Sequence, residues 1–324
     1  MQLRKLTLAL MMALGFATNA PAQEAYPAKP VTIILPLAAG SGLDIVARLY
    51  AEKLQDALGK PVVVENRPGA ALMLATQMVA TAPPDGYTLL VATSSALAIN
   101  PVLYKQINYD PASFIPISLY LKSPFILVVN PELSAKTVPE LIDLAKKRKD
   151  LNYSSPGAGV AQHLSMEFMK KRFDLEITHV PYRNTPQSIL DIASGHVQLG
   201  FVEAGASVPL IKDGKLRPLA VSSAARLPIL ADVPPFADVS GAKDFEAVSW
   251  HALLAPAGTP QPIIDRLHNE MKKIMADPSV KEKVAALGLI PFDTPSVDGI
   301  KAYLASERQK WGTLVRQLGL EGSQ

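Results

Sequence analysis

Short β-branched runs alternate with segments of helical periodicity twice along this chain, and that alternation restricts the fold more than any other feature. Val31-Thr32-Ile33-Ile34-Leu35 reads as a strand. Asp44–Leu58 then places apolar residues at 45, 46, 47, 49, 50, 51 and 54 with charges between them, a helical spacing. Val62-Val63-Val64 reads as a second strand, Ala71–Ala82 as a helix and Tyr87–Ala92 as a third strand. This order implies right-handed crossovers and a largely parallel sheet. A second series opens at Ile126–Val129 and runs through helix Pro139–Lys147, strand Leu151–Ser154, helix Gln162–Phe173 and strand His179-Val180. It continues with helix Thr185–Ser194, strand Val197–Phe201, helix Ala206–Asp213 and strand Leu219-Ala220-Val221. Phe245–Leu254 reads as a further strand, and Pro262–Met275, Ser279–Leu287 and Ser296–Leu318 as a helical tail. The fold class is therefore α/β, in two series, and 324 residues that are 48% hydrophobic suffice for two cores.

Met1–Ala22 stands apart. Arg4 and Lys5 precede an apolar run from Leu6 to Ala17, and Ala20-Pro21-Ala22 supplies small residues, so a signal peptide cleaved near Ala22-Gln23 is expected, and with it export to the periplasm. The chain carries 32 basic and 29 acidic residues; with Arg4 and Lys5 gone the balance is nearly neutral, which argues against nucleic acid as a partner. The absence of cysteine excludes disulfides, thiolate metal sites and cysteine nucleophiles.

Ligands of open α/β sheets bind at the carboxyl ends of strands, near helix N-termini. Two loops have that setting. Leu37-Ala38-Ala39-Gly40-Ser41-Gly42-Leu43-Asp44 follows the first strand, and Gly157-Ala158-Gly159-Val160-Ala161 follows the Leu151–Ser154 strand. Glycines let the backbone approach a ligand, and the free amides of a helix's first turn suit an anion. Asp44 is expected to cap its helix, and His163 to be a structural hydrogen-bonder without an acid partner. A bulky side chain at Gly159 is expected to block the anion seat. No G-x-S-x-G elbow, dinucleotide fingerprint, P-loop or metal-ligand histidine spacing is present, so no catalytic, metal or cofactor site is expected.

The sequence resembles the Bug/TctC family of periplasmic solute receptors. The resemblance rests on collinear motifs: Tyr26-Pro27-Ala28-Lys29-Pro30, Val63-Val64-Glu65-Asn66-Arg67-Pro68-Gly69-Ala70, Ala82-Pro83-Pro84-Asp85-Gly86-Tyr87, Asn100-Pro101-Val102-Leu103-Tyr104, Gln162-His163-Leu164, Val180-Pro181-Tyr182 and Ala255-Pro256-Ala257-Gly258-Thr259-Pro260. It implies a two-lobed type II periplasmic-binding-protein fold, a Venus flytrap with a ligand cleft between lobes and a helical C-terminal tail. Residues 23–122 and 249–324 would form one lobe and 123–248 the other. It further implies a monomer that captures a small carboxylate, mainly through backbone amides, and presents it to the membrane permease subunits of a tripartite tricarboxylate transporter. A sensor that docks on a membrane kinase, or an enzyme on the same scaffold, are the alternatives.

Where the ligand should lie, the sequence departs from the family pattern. Leu43 stands for the usual Thr, Ala71-Leu72-Met73 for Gly-Gly-Asn, Val160 for Ser or Thr, and Phe201-Val202 followed by Glu203 for Phe-Asp. Arg183 follows Tyr182 as either a ligand clamp or a lobe-to-lobe salt bridge. Together with the two loops, Leu72, Met73, Ser94, Ser95, Tyr182, Arg183, Phe201 and Glu203 are the expected ligand contacts. Each lost donor costs about 1–3 kcal/mol against a buried carboxylate, which points to a ligand more apolar than succinate, aromatic or medium-chain; the alternative is that backbone amides suffice and the ligand is an ordinary dicarboxylate.

Overall fold

The computed structural model describes residues 26–243 and 245–324; the expected signal peptide lies outside them. Strands β1 (Val31–Leu35), β2 (Val62–Asn66) and β3 (Thr88–Thr93) are mutually parallel in the order β2-β1-β3. The crossovers are α1 (Gly42–Leu58) and α2 (Met73–Ala80). Helix α1 starts at the N-cap Ser41, whose hydroxyl accepts the Asp44 amide, and stops at Gly59, whose φ of 68° is the left-handed conformation of a C-terminal cap. After β3 a π-helical turn (Ser95–Ile99) leads into the single turn α3 (Asn100–Leu103).

The second series repeats the plan. After β4 (Phe114–Val129) and α4 (Val138–Lys147) come β5 (Asn152–Ser155), α5 (Ala161–Phe173), β6 (Thr178–Pro181), α6 (Thr185–Ala193), β7 (Leu199–Glu203), α7 (Ala204–Lys212) and β8 (Arg217–Val221). Strands β6 and β7 pair parallel to β5. The short α8 (Phe236–Ser240) leads into β9 (Val248–Pro256), and the tail is α9 (Gln261–Ala276), α10 (Pro278–Ala286), the two-residue β10 (Ile290–Pro291) and α11 (Val297–Gln317).

The expected largely parallel sheet holds for three strands of each series only. Between them run β4 and β9, both antiparallel to their neighbours. The strand β4 is 16 residues long: Phe114–Pro124 pairs with β9, and Phe125–Val129 with β7 and β8. The sequence shows only its last four residues as a strand, because Pro116 and Pro124 interrupt the apolar run. The pairing shifts register between Pro116 and Ser118, an irregularity of the kind that accommodates proline in a ladder. The result is a mixed α/β molecule of two lobes, each with its own parallel strands, joined through β4 and β9.

The cores explain why these elements stay together. Trp250 and Trp311 are fully buried, and the Trp311 indole donates to Glu307 across 3.0 Å. Phe201, Phe236 and Phe245 form an aromatic cluster with ring centroids 4.6–6.0 Å apart. Such pairs add about 0.5–1.5 kcal/mol each beyond the area they bury.

Candidate functional site

The carboxyl ends of β1 and β5, the crossing strands, and the starts of α1, α5, α6 and α7 enclose a cavity of about 630 Å³. From the first loop, Leu37, Ala38, Ser41 and Leu43 line it. Ala39 is exposed, and Gly40 donates its amide to Asp44 Oδ2 across 2.9 Å, so that amide is not offered to a ligand. Asp44 is not the helix cap: Ser41 is, and Asp44 sits three residues in, held by Gly40, Arg48 and Asn66. Those donors outweigh burial and lower its pKa. In the first turn of α1, Ser41 takes the amides of Asp44 and Ile45, which leaves those of Gly42 and Leu43 without partners among the described residues. Gly42 lies against Gly205, and a Cβ on it would stand 3.4 Å from the Gly205 Cα.

The second loop contributes Gly157, Ala158 and Val160 to the wall. The Gly157 amide is held by Ser155 Oγ at 3.2 Å and the Gly159 amide by His163 Nδ1 at 3.4 Å. Val160 is the N-cap of α5, and its side chain offers no acceptor. Three first-turn amides, those of Ala161, Gln162 and His163, therefore have no partner among the described residues and suit an anion, while the Ala161 side chain is buried in the core. A Cβ on Gly159 would lie 2.4 Å from Leu103 Cδ2, on α3 of the other lobe, and φ is +84° there. That corrects the expected effect of a bulky residue at Gly159: its side chain would meet the opposite lobe, not the anion seat.

Of the replaced positions, Leu43, Leu72 and Val160 line the cavity, and Met73 packs against the core instead. Leu72 closes a turn in which Ala70, Ala71 and Leu72 all have positive φ (46°, 49° and 74°). Asn100 anchors it by donating Nδ2 to the Ala71 carbonyl at 2.8 Å. The helix expected from Ala71 begins only at Met73 for this reason.

Ser95 reaches the wall; Ser94 does not, its hydroxyl being hydrogen-bonded to Ser249 at 2.9 Å. Tyr182 lines the cavity and donates its hydroxyl to Asp191 at 2.6 Å. Arg183 lies exposed at the rim and forms no ion pair among the described residues, so the lobe-to-lobe salt bridge is not present. Phe201 belongs to the aromatic cluster of the core, and Glu203, two residues on, reaches the cavity.

Sequence reasoning missed the end of β3 and the residues of the crossing strands: Thr93 from β3, Phe125 from β4, and Ser249 and His251 from β9 all line the cavity. The available signal was the i, i+2 placement of Ser249 and His251 in an otherwise apolar strand, which sends both to one face. His251 is 2% exposed, its Nδ1 has no partner among the described residues, and burial pushes its pKa down to about 3, so it is neutral.

Beneath the second loop lies a Ser155–His179 pair with Oγ and Nε2 2.7 Å apart, which the sequence did not reveal. The Ser155 hydroxyl donates to the Gly157 carbonyl at 2.8 Å, so His179 is the donor in that pair. Neither side chain reaches the cavity wall, and burial holds His179 near a pKa of about 4. The pair shapes the loop and is not placed to attack a ligand. His163, its ring tilted against that of His179 with centroids 4.4 Å apart, does have an acid near it, Glu167, which is tied to Tyr153 and Lys170.

The profile of the TctC family, the tripartite tricarboxylate transporter family receptor, matches residues 46–320. Among curated relatives, protein BugT of Bordetella pertussis is 34% identical over 300 residues, 91% of each chain. Among solved structures, R. palustris Rpa4515 with adipate superposes with a TM-score of 0.86 at 33% identity, covering 91% of this chain and 98% of that one. The periplasmic binding protein BugD gives a TM-score of 0.84 at 32% identity over 91% and 99%.

Proposed function

The chain belongs to the tripartite tricarboxylate transporter receptors, the Bug/TctC family of periplasmic solute-binding proteins, and on that premise we propose that it captures a small organic carboxylate between its lobes and delivers it to the membrane permease subunits of such a transporter. The observation that carries this reading is the pair of helix N-termini, α1 from one lobe and α5 from the other, whose free amides face one cavity. We take the lobes to be residues 23–122 with 249–324, and 123–248. The ligand contacts are the lining residues of the two loops with Leu72, Ser95, Tyr182, Arg183 and Glu203.

Leu43, Leu72, Val160 and Phe125 make much of the wall apolar, which supports a ligand longer or more apolar than succinate. We take the protein to be a monomeric receptor without catalysis, a reading that fits the place of the Ser155–His179 pair behind the second loop and off the cavity wall. The adipate in Rpa4515 shows that a receptor of this fold takes a six-carbon acid.

Thermal-shift measurements on residues 23–324 with aliphatic di- and tricarboxylates, medium-chain acids and aromatic acids test the reading. A ligand at 100 times its Kd adds about 2.7 kcal/mol, a rise of a few degrees. Stabilisation by medium-chain or aromatic acids above succinate and citrate is the expected result. Equal or greater stabilisation by succinate would overturn the apolar preference, and no response to any carboxylate would overturn the receptor assignment.

A further inference from the structure

Glu203 is the acidic side chain of the cavity wall. It is 9% exposed, stands at the N-cap of α7 without bonding that helix's amides, and forms no ion pair among the described residues. Its carboxyl opens onto the cavity with no donor among the described residues, so whatever fills the cavity, water or a ligand group, must supply one.

The elements packed around it supply none. Phe125 pairs with it from β4, Ser207 of α7 donates to its backbone carbonyl, and Gly42 of α1 meets Gly205 beside it. Asp44 on α1 is turned toward Gly40, Arg48 and Asn66. Of the remaining titratable groups on the wall, His251 is neutral, Tyr104 and Tyr182 are uncharged phenols, and Arg183 stands at the exposed rim. The fixed charge of the site is thus positive at the rim and at the helix starts, and negative at Glu203.

We propose that Glu203 determines specificity by accepting hydrogen bonds from an ammonium group of the ligand, so that the site prefers amino-carboxylic acids to dicarboxylic acids of equal length. The inference rests on the carboxylate reading of the cavity. The ligand carboxylate meets the free amides of α1 and α5, and its ammonium end meets Glu203, which matches both signs of charge. A dicarboxylate would bring a second anion to Glu203 and require that residue to hold a proton.

The sign of the pH dependence separates the two cases. Burial alone raises the Glu203 pKa to about 7. An ammonium ligand binds the ionised form, so its affinity rises between about pH 6 and 8, where an amine stays charged. A dicarboxylate that needs the protonated form loses affinity over the same range. The unliganded protein has its own signature. With the folded pKa raised above the unfolded one, Glu203 contributes stability that is complete at low pH and is lost as pH rises through 7.

The experiment is calorimetric titration of two length-matched trios: 4-aminobutanoate, succinate and butanoate; 6-aminohexanoate, adipate and hexanoate. The wild type should bind an amino acid most tightly in at least one trio at pH 8, and more weakly at pH 6. Glu203→Gln should lose about tenfold or more of that affinity, as expected for one charged hydrogen bond, and lose the pH dependence. Its binding of the diacid and the monoacid should not fall. Its unliganded melting temperature should equal or exceed that of the wild type at pH 8, which controls for folding. A diacid that outranks both amino acids at pH 8, affinity that falls with pH, or a Gln variant that keeps the amino-acid affinity would each overturn the inference while the carboxylate reading stands. No binding of any of the six acids would overturn this inference, and with no response in the wider carboxylate panel, that reading too.

Discussion

Val160 shows how one side chain trades stability for a binding site. At an N-cap, Ser accepts a first-turn amide and contributes about 0.5–2 kcal/mol relative to an apolar residue. Val160 forgoes that and leaves the first three amides of α5 unclaimed. Val160→Ser should therefore raise the stability of the unliganded protein by about 1 kcal/mol in denaturant titration. It should also weaken carboxylate binding, because the new hydroxyl competes for the same amide; unchanged affinity would show that the ligand does not use the start of α5. Positions such as Val160, Leu43 and Leu72 were legible in the sequence, because an apolar residue stands where the motif expects a donor. Phe201 was not. It shares a face of β7 with Glu203, but the cavity begins only at the strand's end, and Phe201 lies two residues deeper under Phe236 and Phe245. Ser41, and not Asp44, caps α1 because the helix starts two residues earlier than its apolar periodicity.

At the scale of elements, the turn before α2 is where local preference and structure disagree most. Ala70-Ala71-Leu72 would favour a right-handed helix, yet the turn after Gly69 and the Asn100 side chain hold all three residues in left-handed conformations. For an L-residue this costs about 1–2 kcal/mol. Ala71→Gly should stabilise the protein by about 0.5–1 kcal/mol once the greater unfolded-state freedom of glycine is subtracted. Urea unfolding checks this, and a destabilised variant would show that the turn is not strained. The parallel strands and their crossover helices were legible from periodicity alone. The long β4 was not, because the partners that keep its prolines within a ladder come from β9, more than a hundred residues away.

On the scale of the whole molecule, the two lobes meet through small residues. Gly42 faces Gly205, Gly288 approaches Ala204 so closely that a Cβ would stand 2.4 Å away, and Gly159 faces Leu103. Tyr104 bridges the same contact by donating to the Ala158 carbonyl at 3.5 Å. Each contact needs the lobes to be close, so a side chain there acts on the approach of the lobes and not on either core. Gly159→Ala adds a strained φ, which costs about 1–2 kcal/mol of stability, and a collision with Leu103, which opposes the approach of the lobes. The variant should melt a few degrees lower, bind carboxylates more weakly, and show a larger radius of gyration in small-angle scattering at saturating ligand. Wild-type compactness with ligand bound would remove Gly159 from the closing contact.

The path of the chain through β4 and β9 has a consequence for the order in which this protein assembles. The neighbour that completes β3 is β9, and the helices α9 and α10 that cover the first lobe follow it. A nascent chain that has made everything up to residue 247 still has an open edge on β3 and an uncovered apolar face. The first lobe made is thus the last to close, and the chain holds no completed first lobe until nearly its whole length has been synthesised.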